Sequence, residues 1–463
     1  MKTYKDFPKP ISIWQMLGPS FVILALGLGS GEVILWPYMA ANYGLGIAWA
    51  AVLGITFQFF VNMEIERYAL VKGESVFAGL VRIFKWAPGW FILSTFAGFA
   101  MPGMMAAAAK VFGVYLGWED FKWIAIAGML IIGLVLSFGK TIYEVIEKIT
   151  QVVIVVAVPM LLVFVIILAS AADWIELLKG LFGQGINWQW VPANIDWLVF
   201  LGAFAYAGAG GNLNLTQSIY IREKGYGMGK YAQKIGGLFV GALKEQKLKL
   251  SGEDFAINKE NLAKYKTWWK RVNLEHAIVF WFIGAVGILL LMLLSYITVY
   301  GSSGNDQSIN FVIGEAGAIK AMLSNFWGGV FMIVVAIMLW QTQMGVLDST
   351  SRIMSENYAL IKLGQDEKGK VNISRIYFAF LWLQIVVGIV MFALDFKEPK
   401  TLLVVGAVIN AVAMFVHVGM VNWMNWKVLP KEVQAGLLRK IIIVAIFVFY
   451  GIFAAVTLGS KMI

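Results

Sequence analysis

Apolar runs long enough to cross a hydrocarbon layer, about 20 residues each, recur along the whole chain. They fall at 14–41, 45–71, 89–116, 122–139, 150–171, 195–221, 276–300, 326–361, 374–395, 400–424 and 437–459. The pattern predicts an all-α membrane protein with eleven transmembrane helices. Two runs carry a polar, glycine-rich interruption with apolar sequence on both sides: Ala25-Leu-Gly-Leu-Gly-Ser-Gly-Glu-Val33 in the first and Tyr206-Ala-Gly-Ala-Gly-Gly-Asn-Leu-Asn-Leu215 in the sixth. Glycine frees the backbone to leave the helix. Inside a bilayer that is tolerated only where protein or a water-filled cavity receives the freed amides and carbonyls. Broken helices 1 and 6, in corresponding places of the chain, mark a candidate binding site.

The spans divide as five, five and one. Five is odd, so a second set of five begins on the other side of the membrane, and spans 1–5 and 6–10 read as inverted repeats, whose usual consequence is alternating access. The expected organisation is a single polytopic domain over 1–463: repeat one at 14–171, repeat two at 195–424, an extra helix at 437–459 and a polar loop at 222–275.

Composition fixes the class. Sixty per cent of the 463 residues are hydrophobic and 14% are charged, outside the range of soluble globular domains. The net charge of +10 comes from basic residues gathered in the loops of one side, twelve of them between Arg222 and Arg271. The positive-inside rule accounts for them without a nucleic-acid partner and sets the N-terminus in the cytoplasm and the C-terminus outside. A multi-pass protein of the plasma membrane is expected, a monomer whose partners are the lipid bilayer and a small ion or solute. No removable signal peptide is read at the polar N-terminus. Trp268-Trp269-Lys270-Arg271 suits the headgroup layer and predicts an interfacial helix before the seventh span. Asp173 to Trp190, with apolar residues at helical spacing, predicts a second amphipathic helix on the outer surface.

The polar residues inside the runs carry the candidate chemistry. Glu32, behind Gly29, Ser30 and Gly31, is a carboxylate near the middle of span 1, expensive at that depth and functional by default; it can hold a cation, carry a proton or pair with a base such as Lys110 in span 3. In span 6, Ala209, Gly210 and Gly211 precede Asn212, Asn214 and Gln217, whose amides offer oxygen to a cation and NH₂ to an anion or organic solute. Interhelical hydrogen bonding is the plainer reading of the same amides. Asn410 is an isolated amide in span 10. In span 8, Asp348 and Arg352 are four apart and can neutralise each other; alternatively Asp348 with Ser349 or Thr350 supplies oxygens to a coupling sodium ion. Glu64, Glu66 and Arg67 in span 2 read as an inner-gate salt bridge. His417 stands alone and His276 falls at a span edge, so no zinc-type spacing exists. The absence of cysteine removes thiolate sites and disulfides. Without a nucleotide-binding loop or paired histidines for haem, no cofactor and no enzymatic activity are expected.

These features resemble the natural resistance-associated macrophage protein family of divalent-metal transporters. The shared features are the span count, the Gly18-Pro19 opening of span 1, both breaks, Gln58 in span 2, and a long span 8 ending Arg352-Ile-Met-Ser-Glu356. The resemblance implies the leucine-transporter fold, a 5+5 inverted repeat plus one helix, and secondary active transport. The metal ligands differ. Where the family has Asp-Pro-Gly-Asn, this chain has Gly29-Ser30-Gly31-Glu32. Where it has Met-Pro-His before Asn, this chain has Ala209-Gly210-Gly211 before Asn212. The acidic pair of span 3 falls in Met101 to Lys110, which holds no acid. Loss of a thioether argues against manganese or iron. The expected cargo is a hard divalent ion such as Mg²⁺, with Glu32 and Asn212 as metal ligands. The alternatives are a small non-metal solute moved with H⁺ or Na⁺ and, less favoured, a channel or non-transporting receptor.

Overall fold

The structure, a computed structural model, describes residues 4–16, 18–27, 29, 31–138, 142–185, 188–233, 246–247, 249–364 and 370–459. Its helices are α1 (Pro19–Gly27), α2 (Trp36–Tyr43), α3 (Ala48–Lys72), α4 (Val76–Ile83), α5 (Ala87–Phe99), α6 (Gly103–Leu116), α7 (Lys122–Phe138), α8 (Ile142–Leu168), α9 (Ala171–Gly180), α10 (Trp197–Ala205), α11 (Thr216–Lys224), α12 (Lys259–His276), α13 (Ile283–Val299), α14 (Asn310–Met322), α15 (Asn325–Leu363), α16 (Ile373–Ala393), α17 (Pro399–Val428) and α18 (Leu437–Gly459). Two-residue strand pairs, Gln184–Gly185 with Trp188–Gln189 and Gln246–Lys247 with Lys370–Val371, are the only sheet among the described residues. The molecule is a helical bundle. Among the described residues, nine helical segments are long and apolar enough to cross a membrane. The apolar α7 is shorter, and the α10–α11 pair is interrupted between two nine-residue halves.

Both expected interruptions are present. α1 ends at Gly27, and the chain resumes at Gly31–Leu35 as a π-helical turn that leads into α2. α10 ends at Ala205; Gly208, Gly210 and Gly211 take φ of 109°, 71° and 52°, and a 3₁₀ turn over Gly211–Leu215 leads into α11. That left-handed backbone is open to glycine at little steric cost.

Three features depart from the apolar pattern. The third run is two helices, α5 and α6, separated at Met101-Pro102, where proline cannot continue the hydrogen-bond ladder. The helix before the seventh run does not lie apart on the surface: α12 continues through a π-helical turn, Ala277–Phe282, into α13. Trp268 is correspondingly buried, its indole N–H donating to the Pro8 carbonyl at 3.0 Å, and Trp269 stacks against the Arg67 guanidinium at 3.9 Å. These aromatics therefore pack against protein instead of headgroups. Of the expected helix over Asp173 to Trp190, only the first part is helical: α9, with Ser170 as N-cap, ends at Gly180, and the Gln184–Gly185 and Trp188–Gln189 strand pair follows.

The bundle surrounds the two breaks. α15 packs on α5, α6 and α16; α17 packs on α10, α18 and the Gly211–Leu215 turn; α3 lies against α10 and α11. Apolar side chains of α8 and α18, among them Val155, Val163, Ile166, Leu438 and Ile441, are exposed, the surface a lipid solvent covers.

The two breaks approach each other closely. A Cβ on Gly31 would sit 1.9 Å from the Tyr206 carbonyl oxygen, and one on Gly27 would sit 2.6 Å from the Gly208 backbone. Gly31→Ala is therefore expected to cost roughly 1–3 kcal/mol or more by overpacking and to lower the thermal midpoint in detergent. Gly89→Ala in α5, where a Cβ meets nothing within 4 Å, is expected to leave it unchanged or raise it.

Candidate functional site

The crossing of the breaks is held by polar side chains, and two of them, Gln58 and Thr342 from neighbouring helices, take up backbone groups at the interruptions. Gln58 of α3 donates to the Ala205 carbonyl at 3.0 Å and accepts from the Gly210 amide at 3.3 Å, so one side chain bridges the interruption in α10–α11. Thr342 of α15 donates to the Ala25 carbonyl at 2.9 Å, and its side chain lies against Gly29. Asn410 of α17 donates to the Gly98 carbonyl at 3.0 Å and the Tyr206 hydroxyl at 2.9 Å, with its own oxygen against Gly211. Asn212 donates to Ser94 at 2.8 Å and Thr95 at 3.0 Å, tying the 3₁₀ turn to α5.

Several polar atoms at this crossing have no such partner. Glu32 is fully buried, and neither carboxylate oxygen has a hydrogen-bond partner among the described residues. The amides of Gly208 and of Glu32 itself lie beside it without completing one. The side-chain oxygens of Asn212 and Asn410, and both polar atoms of Asn214 and of Asn62 in α3, are likewise buried and unpartnered. Buried polar groups are ordinarily satisfied, so such exceptions at the interruptions call for a ligand, water or ion. Ala209 and Gly210 are buried in the same stretch. Ser30 lies outside the described residues.

The remaining candidates are distributed elsewhere. Lys110 is not with Glu32: its ammonium meets Ser308 at 3.1 Å and Asn310 at 3.3 Å, at the end of the bundle away from the 222–275 segment. At that same end Lys397 bonds Asp120 at 2.9 Å and pairs with Asp395 at 3.1 Å, a hydrogen-bonded ammonium that holds both loop carboxyls below their ordinary range. At the end carrying 222–275, here the basic end, Arg352 pairs with Asp348 and with Glu223 of α11, each at 2.7 Å, and the Tyr377 hydroxyl donates to Asp348 at 2.7 Å. Ser349 bonds Tyr220 and Thr350 bonds Gln384, each at 2.7 Å. The mutual neutralisation of Asp348 and Arg352 is the arrangement present. Two further pairs hold α11: Arg222 with Glu356 and Lys224 with Glu147, both at 2.8 Å. Glu64 and Arg67 pair at 2.9 Å, with Arg439 3.5 Å from Glu64. Glu66, two positions further along α3, accepts from Gln217 at 2.6 Å.

Sequence reading passed over two contributors. Tyr206, inside the second interruption, meets Gly31 with its carbonyl and Asn410 with its hydroxyl; its place in the glycine string was the available signal. His276 lies in the interior and not at an edge, because α12 and α13 are continuous, and it is wholly buried.

No protein-family model matches the chain, and no curated protein matches it in sequence. Solved structures superpose on nearly all of it. A manganese transporter from Eremococcus coleocola, in a single-residue variant, aligns at TM-score 0.69 and 13% identity, over 99% of this chain and 90% of that one. Mhp1, a nucleobase-cation-symport-1 family transporter in a closed conformation with bromovinylhydantoin bound, aligns at 0.55 and 12% over 98% and 94%. MhsT in complex with L-phenylalanine aligns at 0.51 and 11% over 95% and 98%. The likeness shows the fold: a multi-pass, all-helical bundle of the leucine-transporter type, with interrupted helices at its centre.

Removing the Gln58 bridge leaves the Ala205 carbonyl and the Gly210 amide unsatisfied in the interior, at roughly 1–3 kcal/mol for each group. Gln58→Leu is expected to lower the thermal midpoint more than Gln384→Leu does. An equal or smaller loss would contradict the bridging role.

Proposed function

We propose that the protein is a secondary active transporter whose binding site lies where the two interrupted helices cross. The observation that carries this reading is the fully buried Glu32 carboxylate at the first interruption, without a hydrogen-bond partner among the described residues, together with the unpartnered amide oxygens of Asn212 and Asn214 in the second. Helix interruptions at mid-bundle are where such folds put substrates and coupling ions. The span assignment that fits is eleven: the nine long helices, α7 and the interrupted α10–α11 pair. On it the chain is one polytopic domain with inverted repeats at 14–171 and 195–424 and an extra helix at 437–459. The basic 222–275 segment and the N-terminus then lie in the cytoplasm, in a plasma-membrane protein acting as a monomer.

The proposed cargo is a small hard cation, Mg²⁺ being the divalent ion that suits one carboxylate, a few amide oxygens and retained water. Glu32 with Asn212 and Asn214 would be its protein ligands. No group of three or more His, Asp or Glu residues able to hold a metal occurs among the described residues. The proposed donors are one carboxylate and amide oxygens, hard ligands that suit a partly hydrated ion better than a softer transition metal. The same observation supports a second reading, a small organic solute bound at the interruptions with Glu32 carrying the coupling charge. Mhp1 and MhsT hold organic ligands.

Glu32→Gln keeps the shape and removes the charge. It is expected to abolish saturable Mg²⁺ uptake into proteoliposomes, with the wild-type thermal midpoint retained or raised. Folded wild-type protein that takes up none of the divalent ions tested would contradict the metal reading and favour the organic one.

A further inference from the structure

A second group of buried polar side chains lies between the central crossing and the basic end, separate from the ion pairs around α11. Ser20 of α1, Glu66 of α3, and Glu275 and His276 of α12 are all buried. His276 Nδ1 is 3.2 Å from Glu66 Oε1 and 2.8 Å from Ser20 Oγ, and the Ser20 hydroxyl is 2.5 Å from Glu275 Oε2. Carboxyl, imidazole, hydroxyl and carboxyl thus form one continuous chain. Its ends are open: Glu66 Oε2, Glu275 Oε1 and His276 Nε2 have no partner among the described residues.

The hydrogen count is the variable this geometry leaves free. With a hydrogen on Nδ1, it faces Ser20 and Glu66 while the Ser20 hydrogen goes to Glu275, and both carboxyls can be bare. With Nδ1 bare, its one lone pair takes a single hydrogen: from a protonated Glu66, with the Ser20 hydrogen still on Glu275, or from Ser20, in which case the Ser20–Glu275 contact needs a proton on Glu275. The same heavy-atom positions therefore serve states that differ in bound protons. The surrounding charges do not fix the count. Arg439 on α18 lies near Glu66 and His276, but Glu64 pairs with Arg67 and is 3.5 Å from Arg439. Lys224 and Glu147, paired at 2.8 Å, and the Tyr226 phenol flank Glu275 from α11, α8 and the segment after α11.

The chain is also joined to the central crossing. Glu66 accepts from Gln217 at the start of α11, and Ser20 sits in the first turn of α1; these are the two half-helices that run from the interruptions to the basic end. His276 stacks on Phe280, ring centroids 4.6 Å apart, and Phe280 abuts Gly208, where a Cβ would come within 2.7 Å of its ring. We propose that Ser20, Glu66, Glu275 and His276 form a proton-binding relay that carries the coupling proton of this transporter, which rests on the transporter reading above. A proton on Glu66 passes to Nδ1; the Nδ1 hydrogen then moves to Ser20 Oγ as the Ser20 hydrogen moves to Glu275. One proton leaves Glu66, one arrives at Glu275, and Ser20 and His276 end as they began. Loading changes the bonds that hold α1 and α11.

Infrared titration of the purified protein in lipid nanodiscs reads the C=O stretch of protonated carboxyls directly. Wild type is expected to show a titrating carboxyl signal, and Glu66→Gln and Glu275→Gln should each remove part of it. Ser20→Ala deletes only the bridging hydroxyl and keeps the test open should a Gln variant fail to fold; it should shift the midpoint by about one pH unit or more, as expected when coupled sites are separated. A signal untouched by both Gln variants, or a midpoint unmoved in Ser20→Ala, overturns the relay. In proteoliposomes carrying a pH dye, Mg²⁺ entry into wild type should acidify the lumen, and Glu275→Gln should admit Mg²⁺ with at least tenfold less acidification. Mg²⁺ entry with undiminished acidification in both Gln variants overturns the coupling role. Absence of Mg²⁺ entry in wild type rejects the metal reading of the central site, and the infrared arm then decides the relay by itself.

Discussion

The structure depends on one contact, the crossing of two interrupted helices at a separation only glycine allows. Gly31 faces the Tyr206 carbonyl, and Gly27 faces the Gly208 backbone. Each interruption releases amides and carbonyls that no bilayer can satisfy. The surrounding helices supply hydrogen-bonding walls: Gln58 from α3 and Thr342 from α15 take up backbone at the interruptions, and Asn410 from α17 ties the Tyr206 hydroxyl to the Gly98 carbonyl of α5. Interior polar positions that look scattered along the chain become one requirement in space.

Where the walls satisfy backbone, they leave other atoms unsatisfied. Asn212 and Asn410 spend their NH₂ groups on neighbouring helices, and their oxygens remain unpartnered. Glu32, at the first interruption, is likewise unpartnered among the described residues, so the interior offers free oxygen acceptors at both interruptions. The ion pairs are kept apart from it: Asp348–Arg352–Glu223, Arg222–Glu356 and Lys224–Glu147 gather at the basic end around α11. The first two are buried and the third half-buried, and together they hold one nine-residue half-helix to α8 and α15.

Much of this was legible in sequence, for physical reasons. An apolar run of spanning length is costly to keep in water and suits a bilayer, and glycines clustered inside such a run weaken the helix that the bilayer otherwise demands. The interruptions and Glu32 stood out on that ground. The bundle and its interruptions agree with that expectation, and the described helices bear out the membrane class. What was hidden needed the third dimension. Lys110 reads as a buried base on its span, yet it lies at the bundle end beside Ser308, since depth along a kinked α5–α6 pair cannot be counted from residue number. His276 reads as an edge residue because apolarity begins there; the polar α12 continues the same helix, so the edge is interior. The Trp268-Trp269 pair has an interfacial composition, but protein takes the place of lipid around it.

The proposed cation site rests on the Glu32 carboxylate of the first interruption, with the amides of the second. Calorimetric or thermal-shift titration of the purified protein with Mg²⁺ decides whether that site binds, because a ligand bound only by the folded state raises apparent stability as RT ln(1 + [L]/Kd). Saturable stabilisation of wild type that disappears in Glu32→Gln is the predicted result. Stabilisation of equal size and midpoint in Glu32→Gln would contradict it.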